Sequence, residues 1–155
     1  MFNGVSGATI LIIAQECYRT RMTRTGRIIA DDARKDQRQS AVSASGCTIE
    51  ARNFQRDLAQ YEKAGAVILG VSVDTAESHK SFCAKEGLNF KLLADTEVKV
   101  SAAYGSVMEY NGNKLSARNT FIIDQQGKIA KVFPAVKVAK HSEEVLASLA
   151  ELQKK

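Results

Sequence analysis

The run Ala66–Val73 (AVILGVSV) constrains the fold more than any other part of the chain. It is almost continuously apolar, rich in Val and Ile, and shows no alternation of apolar with polar residues. A strand of that kind is covered on both faces. Its flanks say what covers it. Thr48–Lys63 carries Phe54, Leu58 and Tyr61 at helical spacing and is stopped by Gly65. Asp74 and Thr75 are good caps for a helix running to about Lys85, which Gly87 ends. Phe90–Leu93 then reads as a short strand and Glu97–Tyr104 as a short helix.

The second half turns β-rich. Asn111-Gly112-Asn113 is a turn, and Thr120–Ile123 (TFII) is another buried-strand candidate. Gln125-Gln126-Gly127 turns the chain into Lys128–Phe133, whose Ile129, Lys131 and Phe133 share one face. Ser142–Leu152 closes as an amphipathic helix, with Val145, Leu149 and Leu152 on one side. Helices alternating with buried strands, followed by a hairpin, imply an α/β fold: a mixed central sheet flanked by helices on both faces.

Residues 1–45 do not continue this pattern. Tyr18–Gly26 and Ala33–Ala44 are polar, charged and aperiodic, with too few apolar side chains to offset the entropy of ordering them. We therefore expect two parts, an atypical N-terminal segment over 1–45 and a folded domain over 46–155. An abrupt change near residue 45 is also what a shifted reading frame or a misassigned start would produce. Only Ala8–Ala14 (ATILIIA) has strand-like character there. It is far shorter than the roughly 20 apolar residues of a spanning helix, and basic residues follow it instead of preceding it, so no targeting segment and no membrane partner are expected.

Charge excludes little but narrows the partners. The chain of 155 residues has a formal charge of +5. Residues 47–155 hold 15 Lys/Arg against 13 Asp/Glu, interspersed, and residues 1–46 hold 7 against 4. No stripe resembles a nucleic-acid-tracking face, and no nucleic-acid partner is expected. The three cysteines, Cys17, Cys47 and Cys83, are too few and too odd in number for a secreted disulfide scaffold and suit a reducing, cytoplasmic compartment. They have no C-x-x-C spacing, and His79 and His141 complete no ligand pattern, so neither a metal nor a cofactor is expected.

The chemistry concentrates at Gly46-Cys47-Thr48, where an irregular segment turns into a helix. A cysteine in a first helical turn faces unsatisfied backbone N–H groups and the positive end of the helix dipole. Both favour its thiolate, the reactive form.

From this point the chain resembles a known family. Gly46 through Phe54 (GCTIEARNF) is similar to the peroxidatic loop and helix of the peroxiredoxins, in particular the Q type, or bacterioferritin-comigratory proteins. The similarity continues in order through Ile68–Asp74 (ILGVSVD), Ser78–Phe82 followed by Gly87, Leu92–Asp95 (LLAD), Ala103-Tyr104-Gly105 and Arg118–Asp124 (RNTFIID).

The resemblance implies a thioredoxin-like fold and a thiol-dependent peroxidase acting on hydrogen peroxide and alkyl hydroperoxides. Cys47 would pass through sulfenic acid, and thioredoxin or a similar dithiol would recycle the enzyme, as a monomer. Arg118 matches the arginine that faces the peroxidatic sulfur, where a permanent guanidinium stabilises thiolate and contacts the peroxide oxygens. Cys83 matches one of the two places where Q-type enzymes carry a resolving cysteine; the other is Arg52 here. A Cys47–Cys83 disulfide would require local unwinding, because bridged Cα atoms stand only about 4.4–6.8 Å apart. Cys17 has no counterpart. Glu50 stands where the family is usually acidic, but an acid in a first turn is favourable anyway, and it is left outside the catalytic set.

The upstream half of the family signature is missing. Its proline and threonine, seven and three residues before the cysteine, are Ser40 and Ala44, and the usual proline before Gly46 is Ser45. Alanine cannot supply the threonine hydroxyl's hydrogen bond to the thiolate and peroxide. The buried strand leading into the loop is also absent from residues 33–39, which leaves Ala8–Ala14 as the one substitute, at the cost of a long connection. These departures motivate an alternative function: a catalytically impaired thioredoxin-fold module that senses redox state or binds a partner.

Overall fold

A computed structural model describes residues 9–14 and 46–154. Its main sheet has five strands: β1 (Thr9–Ala14), β2 (Ala66–Ser72), β3 (Lys91–Ala94), β6 (Thr120–Ile123) and β7 (Ile129–Phe133), in the order β3-β2-β1-β6-β7. β4 (Val107–Tyr110) and β5 (Asn113–Ser116) form a separate hairpin. The helices are α1 over 46–56, α2 (Leu58–Lys63), α3 (Ala76–Glu86), α4 (Lys99–Ala103) and α5 (His141–Leu152).

The substitute strand is in place. Thr9–Ala14 is the middle strand, parallel to β2 with Thr9 opposite Ala66 and antiparallel to β6 with Ile12 opposite Phe121. Without it β2 and β6 would each present an open edge at the heart of the sheet. Ala33–Ala44 and the rest of residues 15–45 lie outside the described residues, Cys17, Ser40 and Ala44 among them.

The sheet is mixed and covered on both faces, as the uninterrupted apolar strands require. Ile122 of β6 and Ile68 of β2 face a cluster built by Ala51 and Phe54 of α1, Tyr61 of α2, and Val145 and Leu149 of α5. The neighbouring β6 residues Phe121 and Ile123 join Val71 on the opposite face, packed by Val100 and Tyr104. Successive strand side chains point to opposite faces, so one short strand feeds both clusters. Gly70, opposite Leu92 in the ladder, has no room for a side chain: an added Cβ would lie 2.3 Å from Leu92 Cδ2.

Element ends follow their capping chemistry. Thr75 Oγ1 accepts the Ser78 N–H at the start of α3, and Gly87 closes that helix in the left-handed conformation at φ 65°. The expected single helix Thr48–Lys63 is instead broken at Asp57. The Asp57 carboxylate accepts Ser142 Oγ at 2.7 Å and pairs with Arg56, which ties the break to the start of α5. Tyr61 Oη donates to the Ser142 carbonyl at 2.7 Å beside it. A tertiary contact has overridden a locally continuous helical pattern. β7 is an edge strand, more exposed than a buried hairpin partner would be, with Ile129 51% accessible. Lys131 and Phe133 still face α5: Lys131 Nζ donates to Ser148 Oγ, and Phe133 packs edge-on against His141.

Candidate active site

α1 carries Cys47, Glu50, Ala51 and Phe54 at i, i+3, i+4 and i+7, and all four are at most 1% accessible. This is the buried stripe of an amphipathic helix, but it contains a thiol and a carboxyl where apolar groups would ordinarily stand. Ile49, on the other side, is 45% accessible.

Arg118 reaches this stripe from the segment between β5 and β6. Its Nη2 donates to Cys47 Sγ at 3.7 Å, a normal reach for the large sulfur atom, and its Nη1 donates to Glu50 Oε2 at 3.0 Å. One guanidinium therefore spans two acidic groups a helical turn apart. It can come this close because residue 46 is glycine: a Cβ there would sit 3.1 Å from Nη2 and 3.4 Å from Nη1.

The backbone around Arg118 is clamped. Its carbonyl accepts the Val136 N–H at 3.0 Å. Asn119 Nδ2 donates to Ser106 Oγ at 3.0 Å while its Oδ1 accepts the Ala135 N–H at 3.0 Å. Ser106 in turn bonds Ala117 through both its carbonyl and its hydroxyl. Asn53 of α1 donates to the Val138 carbonyl, so the loop that holds Arg118 also grips the helix bearing Cys47. Such bonds keep the sulfur and the guanidinium aligned without help from either group.

Glu50 is fully buried, and its carboxyl is pushed up to about 7, because burial outweighs the opposing attraction and hydrogen bond from Arg118. Its second oxygen, Oε1, has no hydrogen-bond partner. A carboxyl held near neutrality, touching the cation that touches the sulfur, belongs to the site although sequence reasoning left it out. The signal was available: an acid three residues after Cys47 falls on the same buried stripe as Phe54, where a merely solvated charge has no place.

Cys83 lies elsewhere, in α3, partly buried and packed against the cluster that contains Ala51 and Phe54. It is not disulfide-bonded to Cys47, and burial pushes its thiol up. The structure thus brings Cys47 and Arg118 together and leaves Cys83 on a separate helix.

The AhpC/TSA family model matches residues 40–132. Peroxiredoxin Bcp of Xanthomonas campestris is 40% identical over 111 residues, which cover 69% of this chain and 69% of that protein. Peroxiredoxin Bcp of Bacillus subtilis is 37% identical over 117 residues, 71% of this chain and 73% of that one. Among solved structures, a peroxiredoxin Q of Xanthomonas campestris superposes with a TM-score of 0.73 at 31% identity, over 95% of this chain and 80% of the other. Another, of the bacterioferritin comigratory protein of Xanthomonas campestris and concerned with its alkyl peroxide reduction activity, superposes at 0.70 with 30% identity, over 95% and 81%. The thioredoxin-like fold, the guanidinium on a helix-borne thiol and these relatives agree: the chain belongs to the AhpC/TSA family, as a peroxiredoxin of the Bcp/Q type, a peroxidase.

Proposed function

We propose that Cys47 is the peroxidatic nucleophile, that Cys83 resolves its sulfenic acid, and that Arg118 activates the first step. The observation that carries this reading is the 3.7 Å contact between Arg118 Nη2 and Cys47 Sγ. A fixed cation beside a buried sulfur favours thiolate over thiol, and it is positioned before any substrate arrives. The thiolate attacks one peroxide oxygen, the O–O bond breaks, and the departing alkoxide or hydroxide takes a proton. Developing negative charge on that oxygen falls beside the same guanidinium.

Hydrogen peroxide and alkyl hydroperoxides are the substrates in this reading. The alkyl peroxide reduction attached to a structural relative supports the second. Cys83 then attacks the sulfenic sulfur, water leaves, and a dithiol such as thioredoxin reopens the disulfide in a reducing, cytoplasmic setting.

Thiol counting tests the assignment. Peroxide should remove two thiols per chain, Cys47→Ser should abolish turnover, and Cys83→Ser should stop after one cycle with a trapped sulfenic acid. Loss of two thiols in the Cys47→Ser protein would overturn it. Ala44 favours one second reading, a slow redox sensor built on the same site, because the usual threonine hydroxyl is missing. A peroxide rate no faster than that of an ordinary thiol would select it.

A further inference from the structure

Three buried polar residues beside α3 take no part in the chemistry above. Ser72 ends β2, Asp74 follows it, and His79 lies in the first turns of α3; they are 2%, 7% and 7% accessible. Ser72 Oγ donates to Asp74 Oδ2 at 2.7 Å and lies 2.7 Å from His79 Nε2. A hydroxyl has one proton. With it committed to the carboxylate, the short contact to Nε2 exists only if Nε2 carries the imidazole proton and donates to Ser72. Nδ1 is then a bare lone pair, and it is buried with no hydrogen-bond partner. Burial holds the imidazole below its ordinary value against the pull of Asp74, so this neutral tautomer persists near neutral pH.

An unsatisfied buried acceptor is costly, and each one asks for a reason. A thiol stands one turn along the helix. Cys83 is four residues after His79, where Cβ atoms are neighbours at about 5–6 Å. A helical side chain leans back over the turn that precedes it. Cys83 also needs a base: burial pushes its thiol up, yet only the thiolate attacks sulfur.

We propose that His79 Nδ1 is the general base for Cys83 in disulfide formation, an inference that rests on reading Cys83 as the resolving thiol. Nδ1 takes the Cys83 proton while that turn of α3 is intact, and the Cys83 thiolate then moves out and attacks the sulfenic sulfur of Cys47. The S–S bond forms, the S–O bond breaks, and the leaving hydroxide takes a proton back to depart as water. Cys83 sulfur is oxidised and the sulfenic sulfur reduced, with no outside electron carrier. Ser72 and Asp74 fix the tautomer and tie the start of α3 to β2 while Cys83 moves.

His79→Gln tests this in the full chain, because glutamine can keep a donor toward Ser72 while lacking the Nδ1 acceptor. The reduced protein is mixed with hydrogen peroxide, quenched at intervals and alkylated, and thiol, dimedone-trapped sulfenic acid and disulfide are counted by mass spectrometry. The expected result is Cys47 oxidation within about twofold of the unmutated chain and disulfide formation slowed on the order of a hundredfold. Disulfide formation at the unmutated rate would overturn the role of His79 alone. No Cys47–Cys83 disulfide in the unmutated chain would overturn it together with the resolving assignment. Should His79→Gln fail to fold, the unmutated chain decides: its disulfide step should be indifferent to added imidazole, and a rate rising in proportion to imidazole would show that the proton leaves to solution bases instead.

Discussion

Cys47 and Cys83 are both buried to some degree on helices that pack against the same apolar cluster, yet their surroundings are opposite. Cys47 is closed off from water and has a guanidinium at 3.7 Å, with a carboxyl sharing that cation. Cys83 is more accessible, and burial pushes its thiol up, in the direction of the neutral form. Burial by itself suppresses thiolate. A thiol that is to react from inside a protein therefore needs a partner that offsets burial, such as a fixed positive charge or an adjacent base. In the proposed reading the pair divides the labour that way, with Cys47 prepared in advance by Arg118 and Cys83 waiting as a thiol.

The two cysteines should respond most differently to loss of Arg118. Arg118→Ala should lower the rate of Cys47 with peroxide on the order of a hundredfold to a thousandfold and raise its thiol pKa, while Cys83 alkylation stays unchanged. Arg118→Lys should recover only part of the loss, since a single ammonium cannot donate to Cys47 and Glu50 in the forked geometry. Competition kinetics against a reference thiol would read both. Equal effects at the two cysteines would mean that Arg118 supports the fold and not the sulfur.

Glu50 sharpens the contrast through pH. Its folded-state value of about 7 lies above the ordinary 4.5, so the folded protein holds this proton more tightly than the unfolded chain. Stability from this group is fully present below 4.5, falls as pH rises from 4.5 to 7, and is gone above 7. The total is on the order of 3 kcal/mol. Denaturant unfolding of Glu50→Gln should lack that fall across the same window. A parallel pH profile in both proteins would show that Glu50 ionises in place without cost.

Gly46→Ala is the gentlest test. Its Cβ would meet Arg118 Nη2 at 3.1 Å, so the guanidinium must shift by a few tenths of an ångström. Peroxide reactivity should drop on the order of tenfold, with no further loss when Gly46→Ala is added to Arg118→Ala. An additive loss in the double variant would place the effect of Gly46 in the helix and not in the arginine.

Much of the fold could be read directly from residue order, because its strands are short, apolar and bounded by clear stops. AVILGVS and TFII are strands, Thr75 and Gly87 bracket α3, and Val145 and Leu149 are core. The interruption at Asp57 could not be read, since it depends on Ser142, far along the chain. The place of β1 could be named only as a substitute, because a long polar stretch separates it from the helix it serves. At the site, Cys47 announces itself by position, and Arg118 became legible through resemblance. Glu50 was passed over because an acid early in a helix has an ordinary explanation. Only its burial beside Arg118 removes that explanation.

The acidity of Cys47 decides whether Arg118 activates its thiol. In a protein carrying Cys17→Ser and Cys83→Ser, the pH dependence of alkylation reports one thiol. The expected pKa lies clearly below the ordinary value of about 8.5 and moves up when Arg118 is replaced by alanine. A Cys47 that titrates at or above that value, indifferent to Arg118, would contradict that activation.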